Sequence, residues 1–127
     1  MPLADESVPL GLRPQQQALL REVYLCCDGQ PVVFAHSVLP RHSLRGEWQA
    51  LRRLGAKPLG AALFTHAGVL RTPLSYRKLL PRHPLYRRAV SALRVAPPAL
   101  WARRSVFMLR NNPILVTEIF LPGVLAL

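Results

Sequence analysis

The apolar residues of this chain fall into a few runs of strand character divided by turn residues. Leu19–Cys27 (LLREVYLCC) and Pro31–Leu39 (PVVFAHSVL) are rich in β-branched, aromatic and aliphatic side chains, and Asp28-Gly29 lies close between them. Two such runs around Asp-Gly predict a hairpin, because a type I′ turn requires positive φ at both central residues. Counted back from a two-residue turn, Cys27 faces Gln30, Leu25 faces Val32, Val23 faces Phe34 and Arg21 faces His36. These pairs share one largely apolar face, with Arg21 projecting from its far end. A bulge or insertion would break this pairing.

Ser43–Leu54 (SLRGEWQALRRL) has helical periodicity. Leu44, Trp48 and Leu51 recur at i, i+4 and i+7, Ser43 can cap the start and Gly55 the end. A turn over Lys57–Gly60 leads into a short apolar strand, Ala61–Thr65. Residues 66–100 hold five prolines (73, 81, 84, 97 and 98) and read as a loop with one short helix around Tyr86–Leu93. Trp101–Arg110 and Pro113–Leu121 predict a second hairpin across Asn111-Asn112, since asparagine tolerates the left-handed region. That turn sets Ile114 opposite Leu109, Val116 opposite Phe107 and Glu118 opposite Ser105. Both faces of these strands are apolar, which predicts central strands covered on each side.

Length and charge refine this picture. At 127 residues, half of them hydrophobic, the chain has enough apolar material for the core of one domain. Seventeen Lys and Arg against six Asp and Glu give a formal net charge of +11. Such an excess raises nucleic acid as a partner class. The arginines are scattered, however, with neither an aromatic ladder nor a nucleic-acid-binding signature among them, so they read as solvated surface and no nucleic-acid partner is expected. No apolar run is long enough to span a membrane. Met1–Pro9 carries Asp5 and Glu6 and lacks the layout of a signal peptide, and the two adjacent cysteines, Cys26 and Cys27, read as buried thiols of a reducing compartment. A cytoplasmic location is expected. The four histidines show no metal-ligand spacing, and no nucleophile-elbow, dinucleotide or phosphate-loop motif occurs.

Two charged residues stand out because their strands are otherwise apolar. Glu118 has Ile114, Val116 and Phe120 on its own face and is the one acid between residues 105 and 121. A carboxylate there suits acid–base work or a hydrogen bond to a substrate hydroxyl. It also suits an ion pair with an arginine, or a strand end that reaches water. Arg21 is a fixed cation that could grip a carboxylate or phosphate in bidentate fashion. It could equally pair with Glu22 or Glu118, or sit at an exposed edge.

The stretches LLREVYLCCDGQP (19–31), the return strand ending in Leu39-Pro40, LRRLGAKPLGAALFT (51–65), WARRSVF (101–107) and PILVTEIFLP (113–122) together resemble the chorismate pyruvate-lyase (4-hydroxybenzoate synthase) family. The resemblance covers roughly residues 19–65 and 101–122. It implies an α+β fold in which helices pack on an antiparallel β-sheet. It further implies a cofactor-free lyase that splits chorismate into 4-hydroxybenzoate and pyruvate for ubiquinone biosynthesis. By match to the family's motifs, Arg21 binds the substrate carboxylate, Leu59 offers a backbone contact, and Glu118 takes the ring hydroxyl. Glu118 is the catalytic candidate. The chain reads as a single domain, 1–127, lacking the family's N-terminal helices and strand, and as a monomer. The competing class is a non-catalytic small-ligand or nucleic-acid-binding protein built on the same sheet.

Overall fold

The computed structural model describes residues 18–40, 70–71, 74–109 and 112–126. They form β1 (Ala18–Cys27), β2 (Gln30–Pro40), β3 (Leu70–Arg71), β4 (Ser75–Leu79), α1 (Pro84–Val90), β5 (Leu100–Leu109), β6 (Asn112–Phe120) and a 3₁₀ turn over Pro122–Ala126. The six strands make one sheet in the order β1-β2-β6-β5-β3, and β4 also pairs with β5. Every pairing is antiparallel. β3 and β4 follow one another along the same edge of β5, against Phe107–Met108 and Leu100–Arg104 respectively. The α+β class expected from the sequence is the class observed. The predicted helix over Ser43–Leu54, the Lys57–Gly60 turn and the strand Ala61–Thr65 lie outside the described residues.

The first hairpin turns where expected, with φ of 52° at Asp28 and 78° at Gly29. Cys27 pairs with Gln30 and Cys26 with Pro31, but Leu25 then pairs with Val33, and Val32 is left as a bulge. The Leu121 N–H donates to the Val32 carbonyl at 2.9 Å, so the end of β6 fixes the bulged residue in place. Past the bulge every predicted pair moves by one residue: Val23 faces Ala35, Glu22 faces His36, and Arg21 faces Ser37 in place of His36. Cys26 and Cys27 are free, Cys26 is exposed and Cys27 half-buried, contrary to the expected buried thiols. The hairpin tip runs past the last β2–β6 pair, Val33–Phe120, where the sheet no longer covers it.

The second hairpin closes at Leu109–Asn112, which moves the predicted register by two residues. Ile114 faces Phe107, Val116 faces Ser105 and Glu118 faces Arg103. A shift of two keeps every side chain on its predicted face but changes its neighbour. β6 lies between β2 and β5, and residues Pro113–Thr117 are buried, as two apolar faces require.

Residues 74–100 carry more structure than the loop expected there. β4 was missed because Tyr76, Arg77 and Lys78 are all exposed, so no buried alternation marks this edge strand. The helix starts at Pro84, two residues before the predicted start. His83 caps it, its Nδ1 accepting from the Leu85 N–H at 3.1 Å, and Pro84 fits the first turn, where no N–H is needed. Leu85, Tyr86 and Ala89 face the sheet and join Phe34, Leu79, Leu100, Ala102, Ile119 and Leu121 in the main core. Tyr24 ties the other end of the helix down, its hydroxyl within 3.1 Å of the Arg88 and Ala89 carbonyls and Ser91 Oγ. A smaller cluster, Val38 and Leu115 with Leu20 and Val106 against them, extends the same layer.

Candidate functional site

Directly paired residues of an antiparallel ladder share a face, and so do residues two apart on one strand. The pairings therefore sort the side chains without ambiguity. The helix face carries Tyr24, Phe34, Ile119 and Ala102. The opposite face carries two neighbouring rows. One is Arg21, Ser37, Val116 and Ser105; the other is Val23, Ala35, Glu118, Arg103 and Tyr76. Arg21 and Glu118, singled out from the sequence, thus project from the same face. Two strand spacings and one row separate them, a Cα–Cα distance of roughly 12 Å.

The bulge at Val32 creates this arrangement. In an unbroken ladder Arg21 would face His36, which pairs with Thr117, and would project from the helix face. The floor between Arg21 and Glu118 consists of Ala35, Ser37 and Val116, all small. Arg21 and Glu118 thus stand at opposite corners of this floor, in which Ser37 and Val116 are buried. Burial lowers the Arg21 guanidinium from its usual value, though a guanidinium stays charged at any physiological pH. A permanent cation on a partly desolvated floor suits an organic carboxylate.

Glu118 is held by Arg103, whose Nε and Nη2 donate to the same carboxylate oxygen, Oε1, at 3.0 and 2.8 Å. The side chains are 24% and 30% exposed. Arg103 Cζ also lies 5.5 Å from the centroid of the Phe120 ring, so the guanidinium is stacked on one side and hydrogen-bonded on the other. The ion-pair alternative for Glu118 is therefore realised, with Arg103 as the arginine. Both hydrogen bonds use Oε1. Glu22 projects from the helix face, where its Oε2 accepts from His36 Nδ1 at 2.6 Å and from Arg88 Nη1 at 3.0 Å. Leu59, the third residue assigned by resemblance, lies outside the described residues.

The register expected from the sequence sets Ser105 opposite Glu118, and so on this face, but gives Arg103 no place there. The observed register moves Ser105 opposite Val116 and brings Arg103, on the same phase of β5, opposite Glu118. Among the described residues no three His, Cys, Asp or Glu side chains come together as a metal site would need. No described helix is long and apolar enough to cross a membrane.

Comparison with known proteins bears on this geometry. A family profile described as chorismate lyase matches residues 3–126. A probable chorismate pyruvate-lyase of Nitrosomonas eutropha is 53% identical over 120 residues, covering 94% of this chain and 67% of that protein. One from Nitrosospira multiformis is 55% identical over 123 residues, covering 97% and 68%. The chain thus spans about two thirds of the length of these curated relatives. Among solved structures, the C-terminal domain of Yurk from Bacillus subtilis superposes with a TM-score of 0.63 at 13% identity, over 95% of this chain and 83% of that one. The ligand-binding domain of a putative GntR-family transcriptional regulator from Bordetella bronchiseptica does so with a TM-score of 0.61 at 17% identity, over 95% and 77%. At such identities these two likenesses speak for the fold alone.

Proposed function

The chain belongs to the chorismate lyase family, and we propose that it removes pyruvate from chorismate to give 4-hydroxybenzoate, the ring precursor in ubiquinone biosynthesis. The reaction breaks the C3–O bond of the enolpyruvyl ether and the C4–H bond of the ring. The ether electrons leave with the enolpyruvyl oxygen, the C4 proton departs, and the ring becomes aromatic. The released enolate takes up a proton at its methylene carbon and becomes pyruvate. No electrons are gained or lost overall. Aromatisation supplies the driving force, so the protein's task is to hold the ring and manage charge and protons.

The placement of Arg21 and Glu118 on one face, above small residues, carries this reading at the level of the site. Arg21 takes the ring carboxylate in a charge-assisted, bidentate contact that fixes one end of the ring. Glu118 receives the C4 hydroxyl at the other end, through the oxygen that Arg103 leaves to it, and stands beside the carbon that loses its proton. Arg103 is a positioning residue for that carboxylate. Leu59 adds a backbone contact, as the family resemblance implies. Residues 1–127 act as one domain in this reading, which requires no cofactor. The competing nucleic-acid reading is disfavoured because the charges used here are two arginines and an acid, one arginine already paired with the acid, a pattern that suits a small carboxylate better than a phosphate backbone.

The test is to incubate the purified chain with chorismate and follow both products. Equimolar pyruvate and 4-hydroxybenzoate are expected. A folded chain that forms neither, and binds no 4-hydroxybenzoate, would refute the proposal.

A further inference from the structure

Ser105 lies in the middle of β5, two residues from Arg103 and directly opposite Val116. It is 2% exposed, and its Oγ is buried with no hydrogen-bond partner among the described residues. A buried hydroxyl without a partner is destabilising and uncommon in folded proteins. Its surroundings on the same face explain the burial but offer no partner: Phe107 and Ile114 form the next row, and both are buried and apolar. On its other side lies the Arg103–Glu118 pair, whose two hydrogen bonds are made within the pair.

Ser105 shares its row with Arg21 but sits on the far side of β6 from it. Ser37 and Val116 lie between the two in that row, and Glu118 stands beside Val116 in the neighbouring row. If the ring carboxylate is at Arg21 and the C4 hydroxyl at Glu118, the neighbouring C3 substituent extends toward β5. We propose that Ser105 is a further substrate-binding residue, its Oγ–H donating to the bridging oxygen of the enolpyruvyl ether. This rests on the lyase reading and deepens it. As the C3–O bond breaks, its electron pair collects on that oxygen and gives the enolate of pyruvate. The C4 proton leaves the ring in the same process. A donor already aimed at the oxygen that gains charge strengthens its hydrogen bond in the transition state, in a site where water does not compete.

The product 4-hydroxybenzoate has no enolpyruvyl group, which makes the proposal separable from general binding. Ser105→Ala is expected to lower kcat/KM for chorismate on the order of 10²-fold, as loss of one donor to a developing oxyanion does, mainly through kcat. Its affinity for 4-hydroxybenzoate should stay within about twofold of the parent, since that ligand forfeits no hydrogen bond of the usual size. Its melting temperature should be unchanged or higher, because the substitution removes an unsatisfied buried group. Ser105→Gly, which also removes the hydroxyl, should match the Ala variant in kcat. Unchanged turnover in a folded Ser105→Ala chain would overturn the inference while leaving the lyase reading intact. So would an equal loss of 4-hydroxybenzoate affinity, or a fall in melting temperature showing that the hydroxyl supports the fold. A parent chain with no lyase activity would overturn both.

Discussion

Arg103 stands directly across the β5–β6 ladder from Glu118 and places two N–H donors, at 3.0 and 2.8 Å, on one oxygen of its carboxylate. The pair is about a quarter exposed, so its contribution to stability is modest, about 0–1 kcal/mol. Its value lies in orientation. The planar fork and the Phe120 ring beneath it allow the carboxylate little freedom to turn.

Arg103→Ala should therefore separate activity from stability. The melting temperature is expected to fall by no more than a few degrees, while kcat/KM for chorismate drops about 10–100-fold as Glu118 loses its orientation. Arg103→Lys should recover only part of this, because a flexible ammonium does not reproduce two guanidinium donors converging on one oxygen. Thermal melts and pyruvate release on the same preparations check both halves.

Arg21 should behave as a functional residue. Arg21→Met keeps most of the apolar stem and is expected to leave a folded chain with a cooperative melt. The same variant should bind 4-hydroxybenzoate about 10–100-fold more weakly, the usual scale for one charge-assisted contact. Calorimetric titration and a thermal melt measure the two effects.

Glu22 should show the reverse pattern. It ties the helix to the sheet by accepting from the fully buried His36 and from Arg88 of α1, on the face away from Arg21 and Glu118. Glu22→Ala leaves the His36 Nδ1 without this acceptor, and a loss of about 1–3 kcal/mol is expected in urea unfolding. Turnover per folded molecule should be nearly unchanged.

Two glycines predict different costs. At Gly123 a Cβ would lie 2.9 Å from the Pro31 carbonyl oxygen, beside the bulge that orients Arg21. Gly123→Ala is expected to destabilise by about 1–3 kcal/mol and to weaken 4-hydroxybenzoate binding, because the backbone at Pro31 must move. Gly29 has open space around it but φ of +78°, so Gly29→Ala should cost only about 1–2 kcal/mol of backbone strain and leave binding intact. Denaturant unfolding with ligand titration distinguishes the two.

Much of this fold was legible in the sequence, because its hairpins announce themselves. Asp28-Gly29 fixed the first turn, and the doubly apolar runs at 101–110 and 113–121 marked the central strands. The registers were less accessible. A bulge depends on tertiary support, here the Leu121 N–H on the Val32 carbonyl, and no local feature of PVVFAHSVL announces it. The second register slipped because Asn111-Asn112 is only one of several polar dipeptides that could lie at the turn. β4 escaped because an exposed edge strand has no hydrophobic alternation to read. The site was half legible. Arg21 and Glu118 stood out as charges in apolar strands, but in the unbulged register they fall on opposite faces. Ser105 was expected directly opposite Glu118 and lies one row along the same face, whereas Arg103 required the observed ladder before it could be placed beside Glu118.

The most direct test of the site is pyruvate release from chorismate by four chains side by side: the parent, Arg21→Met, Glu118→Gln and Glu22→Gln. The parent and Glu22→Gln are expected to turn over at similar rates per folded molecule, and the two variants of the other face to lose on the order of 10²-fold or more in kcat/KM. Parent-like turnover in folded Arg21→Met and Glu118→Gln would contradict the assignment of the site to that face of the sheet.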